Sequence, residues 1–146
     1  MKSVIPPALF YFLSLTWGLP LTLFGAVISL ALIITGHRPK KFGYCFCFSF
    51  GRGWGGLEGG IFFFRDLDSS KDVSYHEFGH ALQNCYFGIF EPIIITIPSA
   101  IRYWFRRLQI VCLKKQPKHA YDDIWFEGQA SRLGRNFFEM QNTETE

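Results

Sequence analysis

The chain has 146 residues, the length of one domain, with 49% apolar residues, 17 phenylalanines and a formal net charge of only +3. Its four cysteines lack the paired spacing of a small secreted scaffold, and neither an internal repeat nor a low-complexity tract is visible, which excludes disulfide-framed and solenoid classes. The aromatic and apolar excess points instead to a chain that touches lipid.

Residues 1–36 read as a membrane anchor. From Ile5 to Thr35 there is no charged side chain, a run long enough to cross a bilayer. It is about twice the usual length of the apolar part of a secretory signal, and no small-residue cleavage site follows it, so a retained anchor is expected. Gly18 and Pro20 fall mid-run and leave two forms open, one kinked span or a re-entrant hairpin. His37, Arg38, Lys40 and Lys41 follow at once, against only Lys2 and the terminal amine before the run. The excess of positive charge after the run puts the rest of the chain on the cytoplasmic side of the cell membrane.

Residues 37–140 read as one α+β domain with a short β-hairpin and two or three helices. In 42–65, Tyr44, Phe46, Phe48 and Phe50 alternate with Cys45, Cys47 and Ser49, and a glycine-rich turn leads into Ile61 to Phe64. The pattern predicts strand, loop and strand. Cys45 and Cys47 fit two residues on one strand face better than a metal pair. The glycines of "GRGWGGLEGG" lack the G-K-[ST] of a phosphate loop. A helix is predicted over about 70–87, with Asp68 to Asp72 offering N-caps, Ser74-x-x-Glu77 a possible capping box, and Gly88 as the residue that ends it. "IIITI", bracketed by Pro92 and Pro98, is too short to span a membrane. The helix after it carries Arg102, Arg106, Arg107, Lys114 and Lys115 without an acid, interleaved with Trp104 and other apolar residues. That suits an anionic inner leaflet better than nucleic acid, which is not expected as a partner beside a membrane anchor. A last helix is predicted to start at Asp122 or Asp123, and 141–146 reads as a flexible tail.

The predicted helix over 70–87 contains His76-Glu77-Phe78-Gly79-His80, the spacing H-E-x-x-H. Residues four apart share a helix face, so both imidazoles can converge on one metal ion while Glu77 lies beside its open side. With this His and Glu content, about 0.005 accidental matches are expected, so chance is a poor explanation. Two imidazoles leave zinc a strong Lewis acid, and the carboxylate can take a proton from water at neutral pH. A catalytic zinc needs a third protein ligand. The histidine-rich extension of the motif would require a glycine and a histidine where Gln83 and Tyr86 stand, and 47 residues after His80 comes "WFEGQAS", with Glu127 on the second helix. His119, Glu91 and Asp123 are the other candidates for the third ligand, and His119 and Tyr121 are candidate transition-state donors.

With H-E-x-x-H on one helix and Glu127-Gly128-Gln129-Ala130-Ser131 on the next, the sequence over about 70–133 resembles the gluzincin class of zinc metallopeptidases. There a glutamate on the following helix completes the site, often within E-x-x-A-D. The resemblance implies His76, His80 and Glu127 as zinc ligands and Glu77 as the catalytic general base. It departs from the pattern at Ser131, where the family has an aspartate that orients a zinc-bound histidine. Ser131 could accept the same N–H without the charge, or Asp122 or Asp123 could supply the contact. The segments "GHRPKKFG", "IPSAIRYW" and "WFEGQA" are also similar to those of a group of small bacterial membrane proteins. The expectation is a membrane-anchored, zinc-dependent metallopeptidase acting on a peptide or protein. The alternatives are a non-catalytic metal-binding or immunity-type membrane protein and a metal hydrolase acting on a non-peptide bond.

Overall fold

A computed structural model of the protein describes residues 5–143. Lys2 and the end of the tail lie outside them. The described residues form five α-helices and one four-stranded mixed sheet, an α+β arrangement. In chain order these are α1 (Pro7–Leu15), α2 (Leu19–Ile34), β1 (Lys40–Phe42), β2 (Cys45–Ser49), β3 (Gly56–Gly59), β4 (Phe62–Arg65), α3 (Lys71–Phe87), α4 (Ile97–Val111) and α5 (Trp125–Thr143). A π-helical turn, Pro92–Thr96, leads into α4, and a 3₁₀ turn, Tyr121–Asp123, precedes α5. The final helix therefore runs through 141–143, residues expected to be tail.

The sheet corrects the expected hairpin. The two aromatic strands β2 and β4 lie side by side but parallel, with Phe46 opposite Phe62 and Phe48 opposite Phe64. The hairpins are elsewhere: β1 turns into β2 through Gly43 and Tyr44, and β3 turns into β4 through Gly60 and Ile61. Both two-residue turns put a glycine at positive φ, +58° at Gly43 and +72° at Gly60, as a tight hairpin demands. The order β1-β2-β4-β3 thus makes the glycine-rich segment an edge strand and not a plain loop.

One face of the sheet packs on α3. Cys45, Cys47, Phe63, Phe78, Cys85 and Phe137 form the core there, and α1 adds the fully buried Phe10, whose ring stacks on Phe78 at 6.4 Å. All four cysteines are free thiols, three of them buried. The capping box expected at Ser74-x-x-Glu77 is absent: α3 starts at Lys71, Ser74 is buried within it, and its hydroxyl accepts from Arg65 Nη1 at 2.9 Å.

Among the described residues, no single helix is long and apolar enough to cross a membrane. α1 and α2 have the length and apolarity together, but they meet at 89°. Pro20 removes the amide that would continue the helical ladder through this break. The corner is tied by Thr22 Oγ1 donating to Ser14 O at 2.8 Å and by Asn84 Nδ2 donating to Gly18 O at 3.2 Å. α2 buries Leu21 with the small or polar Thr22, Gly25 and Ser29, and exposes Leu23, Phe24, Val27, Leu30 and Ile34.

Candidate metal centre

The site is built where α3 and α5 cross. Their backbones approach unusually closely: a Cβ added at Gly79 would collide with Ala130 O, and one added at Gly134 would collide with Tyr75 O. Two glycines, one on each helix, thus set the separation at which side chains from both can meet. From α3 come His76, Glu77 and His80, and from α5 come Glu127 and Ser131.

Three donors converge. His76 Nε2 lies 2.9 Å and His80 Nε2 3.2 Å from Glu127 Oε2, and the two nitrogens are 3.1 Å apart. His76, His80 and Glu127 are the one group of three among the described residues whose ligand atoms could hold a metal ion. Glu127 is fully buried, and among the described residues its Oε1 lacks a partner at hydrogen-bond distance, with Ser99 and Tyr121 the hydroxyls next to the carboxyl.

The far side of each imidazole is fixed. Gln83 donates its two amide hydrogens to Phe126 O and Gln129 Oε1, both at 2.8 Å, so its carbonyl oxygen faces His80 Nδ1 at 2.7 Å. Nδ1 must then carry the proton, which turns Nε2 toward Glu127 for a second proton or a metal ion to take. His76 Nδ1 sits 2.9 Å from Ser131 Oγ, and that hydroxyl donates to Asp122 Oδ2 at 2.8 Å. The two alternatives left open for the missing aspartate therefore act in series, Ser131 touching the ring and Asp122 supplying the charge behind it.

The electrostatics follow from burial. Burial pushes the Glu127 carboxyl up, but the hydrogen bonds to His76 and His80 override it and hold the group well below the usual carboxylate range. Burial opposes charge on His80, yet the Glu127 hydrogen bond and the charges of Glu77 and Glu127 push it up to about 9. The site thus demands a positive charge, which a proton or a metal ion can provide. Glu77, also buried, is raised by its burial and pulled back by the two histidines. Its carboxylate lies against the backbone of β3, where a Cβ at Gly56 would collide with it.

These groups open into a cleft of about 640 Å³ between β3 and the start of α4, whose walls include Leu57, Val73, Ile95 and Tyr103. Tyr121 faces into it, its ring 6.1 Å from that of His76 and its hydroxyl 3.0 Å from Ser99 Oγ. Burial, then the charge of Glu127, keeps that phenol protonated far above neutrality. His119 stands apart, its side chain 79% exposed and 3.6 Å from Asp123, and neither residue reaches the donors.

Glu91, a weaker candidate ligand in the sequence, is fully buried and lines the cleft without joining the three donors. Glu58 on β3 lines it too. Burial pushes both carboxyls up, and at Glu58 the charge of Glu91 adds to the effect. Sequence reasoning missed Gln83 and Glu58. Gln83 left a readable trace, a polar residue one turn after the second histidine on the motif's own face. Glu58 left none, since its segment reads as a loop. Comparison of the chain with family models, curated proteins and solved structures found no match.

Proposed function

We propose that the chain is a membrane-associated metallopeptidase of the H-E-x-x-H type that uses zinc. The observation that carries this reading is the pair of tied imidazoles converging with Glu127 beside a buried Glu77, at the floor of a cleft. The donor separations of 2.9 to 3.2 Å, those of a hydrogen-bonded triad, are also within a few tenths of an ångström of what a tetrahedral zinc requires. Bonds of about 2.0–2.1 Å in a tetrahedron put ligand atoms roughly 3.3 Å apart. Held by His76, His80 and Glu127, zinc would supply the Lewis acidity that makes water a nucleophile and polarises a carbonyl at neutral pH.

The protein's own groups do the rest. Glu77 accepts a proton from the attacking water and returns it to the amine nitrogen as the C–N bond breaks. The Tyr121 hydroxyl, kept neutral, donates to the carbonyl oxygen as that oxygen gains charge. The edge strand β3 offers unpaired backbone groups along one wall of the cleft, so an extended peptide can add to it.

The membrane part of the proposal assigns α1 and α2 to lipid, with Leu23, Val27 and Leu30 facing the acyl chains and Thr22, Gly25 and Ser29 turned inward. The apolar face of α4, with the exposed Ile97, Ile101, Trp104 and Leu108, is assigned to the membrane interface as a second surface. Arg102, Arg106 and Arg107 donate to backbone carbonyls of Ala120, His119 and Gly53 respectively. Contact with an anionic leaflet therefore falls to Arg38, Lys40, Lys41, Lys114 and Lys115, and the positive charge after the apolar run favours the cytoplasmic face.

The test is metal analysis and peptide turnover of wild type and Glu77→Gln in detergent. Glu77→Gln should keep one zinc per chain and lose turnover by about 10²–10⁴-fold, because the base is not a ligand. Equal turnover of the two proteins would overturn the assignment.

A further inference from the structure

Glu58 and Glu91 are the buried acids on the cleft wall that the proposed chemistry leaves unused. Glu58 is 5% exposed and Glu91 fully buried, both line the cleft, and each uses only one oxygen. Glu58 Oε1 accepts from the Gly60 amide at 2.7 Å, and Glu91 Oε2 accepts from the Thr96 hydroxyl at 2.8 Å. Glu58 Oε2 and Glu91 Oε1 are buried and have no donor among the described residues. Burial pushes both carboxyls toward their protonated form, and each is stable as a carboxylate only when a donor or a cation meets it.

No basic side chain on the cleft wall meets them. Apart from the two histidines engaged with Glu127, the basic residues there are Arg107, whose Nη1 donates to Gly53 O at 2.9 Å, and Arg135, which pairs with Asp72 at 3.5 Å on the rim. A metal ion fits the pair poorly, because the one three-ligand group among the described residues is His76, His80 and Glu127, and two single oxygens make too few ligands. They suit a group with two or three hydrogens to donate, and Leu57 and Ile95 on the same walls suit the methylenes behind it.

We infer that Glu58 and Glu91 form a subsite for a cationic nitrogen of the substrate, a primary ammonium or a guanidinium, beside the metal centre. That this cation belongs to a substrate rests on the peptidase reading; the subsite itself stands on the two carboxylates. Two sources share the chemistry, the α-amine at a peptide's N-terminus and a lysine or arginine side chain. Bound there, the nitrogen donates to Glu58 Oε2 and Glu91 Oε1 and fixes which peptide bond reaches Glu77.

The experiment titrates n-butylamine, n-butylguanidine and n-butanol, the neutral isostere of the amine, into the full chain in detergent, by calorimetry, for wild type, Glu58→Gln and Glu91→Gln. The cations should bind wild type at least about tenfold more tightly than the alcohol, and each glutamine variant should lose about 10- to 100-fold of that binding. Equal binding of cation and alcohol, or no effect of either variant, overturns the inference. So does a second zinc or manganese per chain that disappears in Glu58→Gln, because the pair is then a metal site. If Glu58→Gln does not fold, Glu91→Gln and the wild-type preference for cation over alcohol decide the matter. Turnover of peptides with free or acetylated N-termini, and with lysine or norleucine, identifies the source. Binding without turnover of any peptide keeps the subsite and removes the peptidase reading, whereas turnover indifferent to all these changes, without amine binding, does the reverse.

Discussion

α5 and α2 are helices of similar length that obey opposite rules. α5 turns Phe126, Ala130 and Phe137 inward and leaves Arg132, Arg135 and Glu139 outside, as a helix in water does, with Glu127 and Ser131 brought inside to serve the histidines. α2 does the reverse: Ser29 is 3% exposed while Val27 is 70% exposed. Hydrophobic burial holds α5 in place whatever surrounds the molecule. On α2 the same effect acts on the outer face only when something apolar covers it. The chain thus has a frame, α3 with α5, whose apolar faces cover each other, and a flank, α2 and separately α4, whose exposed apolar faces the proposed membrane would cover.

The largest effect should come from the flank. Replacing Leu23, Val27 and Leu30 together by serine removes three side chains from the proposed lipid contact, each worth about 1.5 kcal/mol or more, so binding to lipid vesicles should fall by roughly 10³-fold or more. Flotation with vesicles measures it, and unfolding in detergent should change little. Unchanged flotation would show that α2 is not the lipid face.

The frame should be the more sensitive in the other assay. Gly79→Val pushes side-chain carbon into Ala130 O at the α3–α5 contact, and a loss of roughly 3 kcal/mol, with loss of zinc binding, is expected. Val27→Ala should stay within about 0.5 kcal/mol of wild type in detergent. Comparable stabilities of the two variants would abolish the distinction between frame and flank. A smaller effect tests the relay behind His76. Ser131→Ala or Asp122→Asn should weaken zinc binding by about 10- to 100-fold at unchanged stoichiometry, read by competition with a chelating dye. The two substitutions combined should cost little more than either alone, because they break one chain of contacts.

How much of this was readable from sequence depends on the distance over which each feature is specified. The helix carrying His76 and His80 was legible because four-residue spacing on a helix is local geometry, and the place of Glu127 beside them because the second helix carries an acid in a suggestive pattern. The Ser131–Asp122 series was half legible: each residue was a candidate, but a turn nine residues upstream delivers Asp122 to the hydroxyl. β3 was not legible. Gly56, Gly59 and Gly60 signal a loop, and its strand character comes from pairing with β4 and from the space that only glycine leaves for Glu77. With β3 missed, the parallel course of β2 and β4 and the place of Glu58 were lost with it. The break in the apolar run was marked by Gly18 and Pro20, but its 89° angle depends on Asn84, far along the chain.

The smallest expected effect separates frame from flank by pH. The loop leading into β3 is held by charge: Asp66 Oδ2 accepts from the Trp54 and Gly55 amides at 3.0 and 2.9 Å, and Oδ1 accepts from Ser69 Oγ at 2.6 Å. The Ser69 hydroxyl, then the Gly55 amide, draws this carboxyl down from 3.8 to about 2. A depressed pKa contributes stability that is complete above the unfolded value and disappears as the pH falls through the folded one. The contribution of Asp66 should therefore be intact above about pH 5 and fade between there and about pH 1, below the folded value. Asp66→Asn, which keeps the shape but not the charge, should be about 1–2 kcal/mol less stable than wild type at pH 7 and indistinguishable from it only at about pH 1. Thermal unfolding of both proteins in detergent across this range measures the difference. α2 has no titratable side chain, so flotation of the two proteins should remain equal throughout. A full stability gap that persists at about pH 1 would mean that shape rather than charge ties the loop, and a gap in flotation would mean that this loop and the flank are coupled.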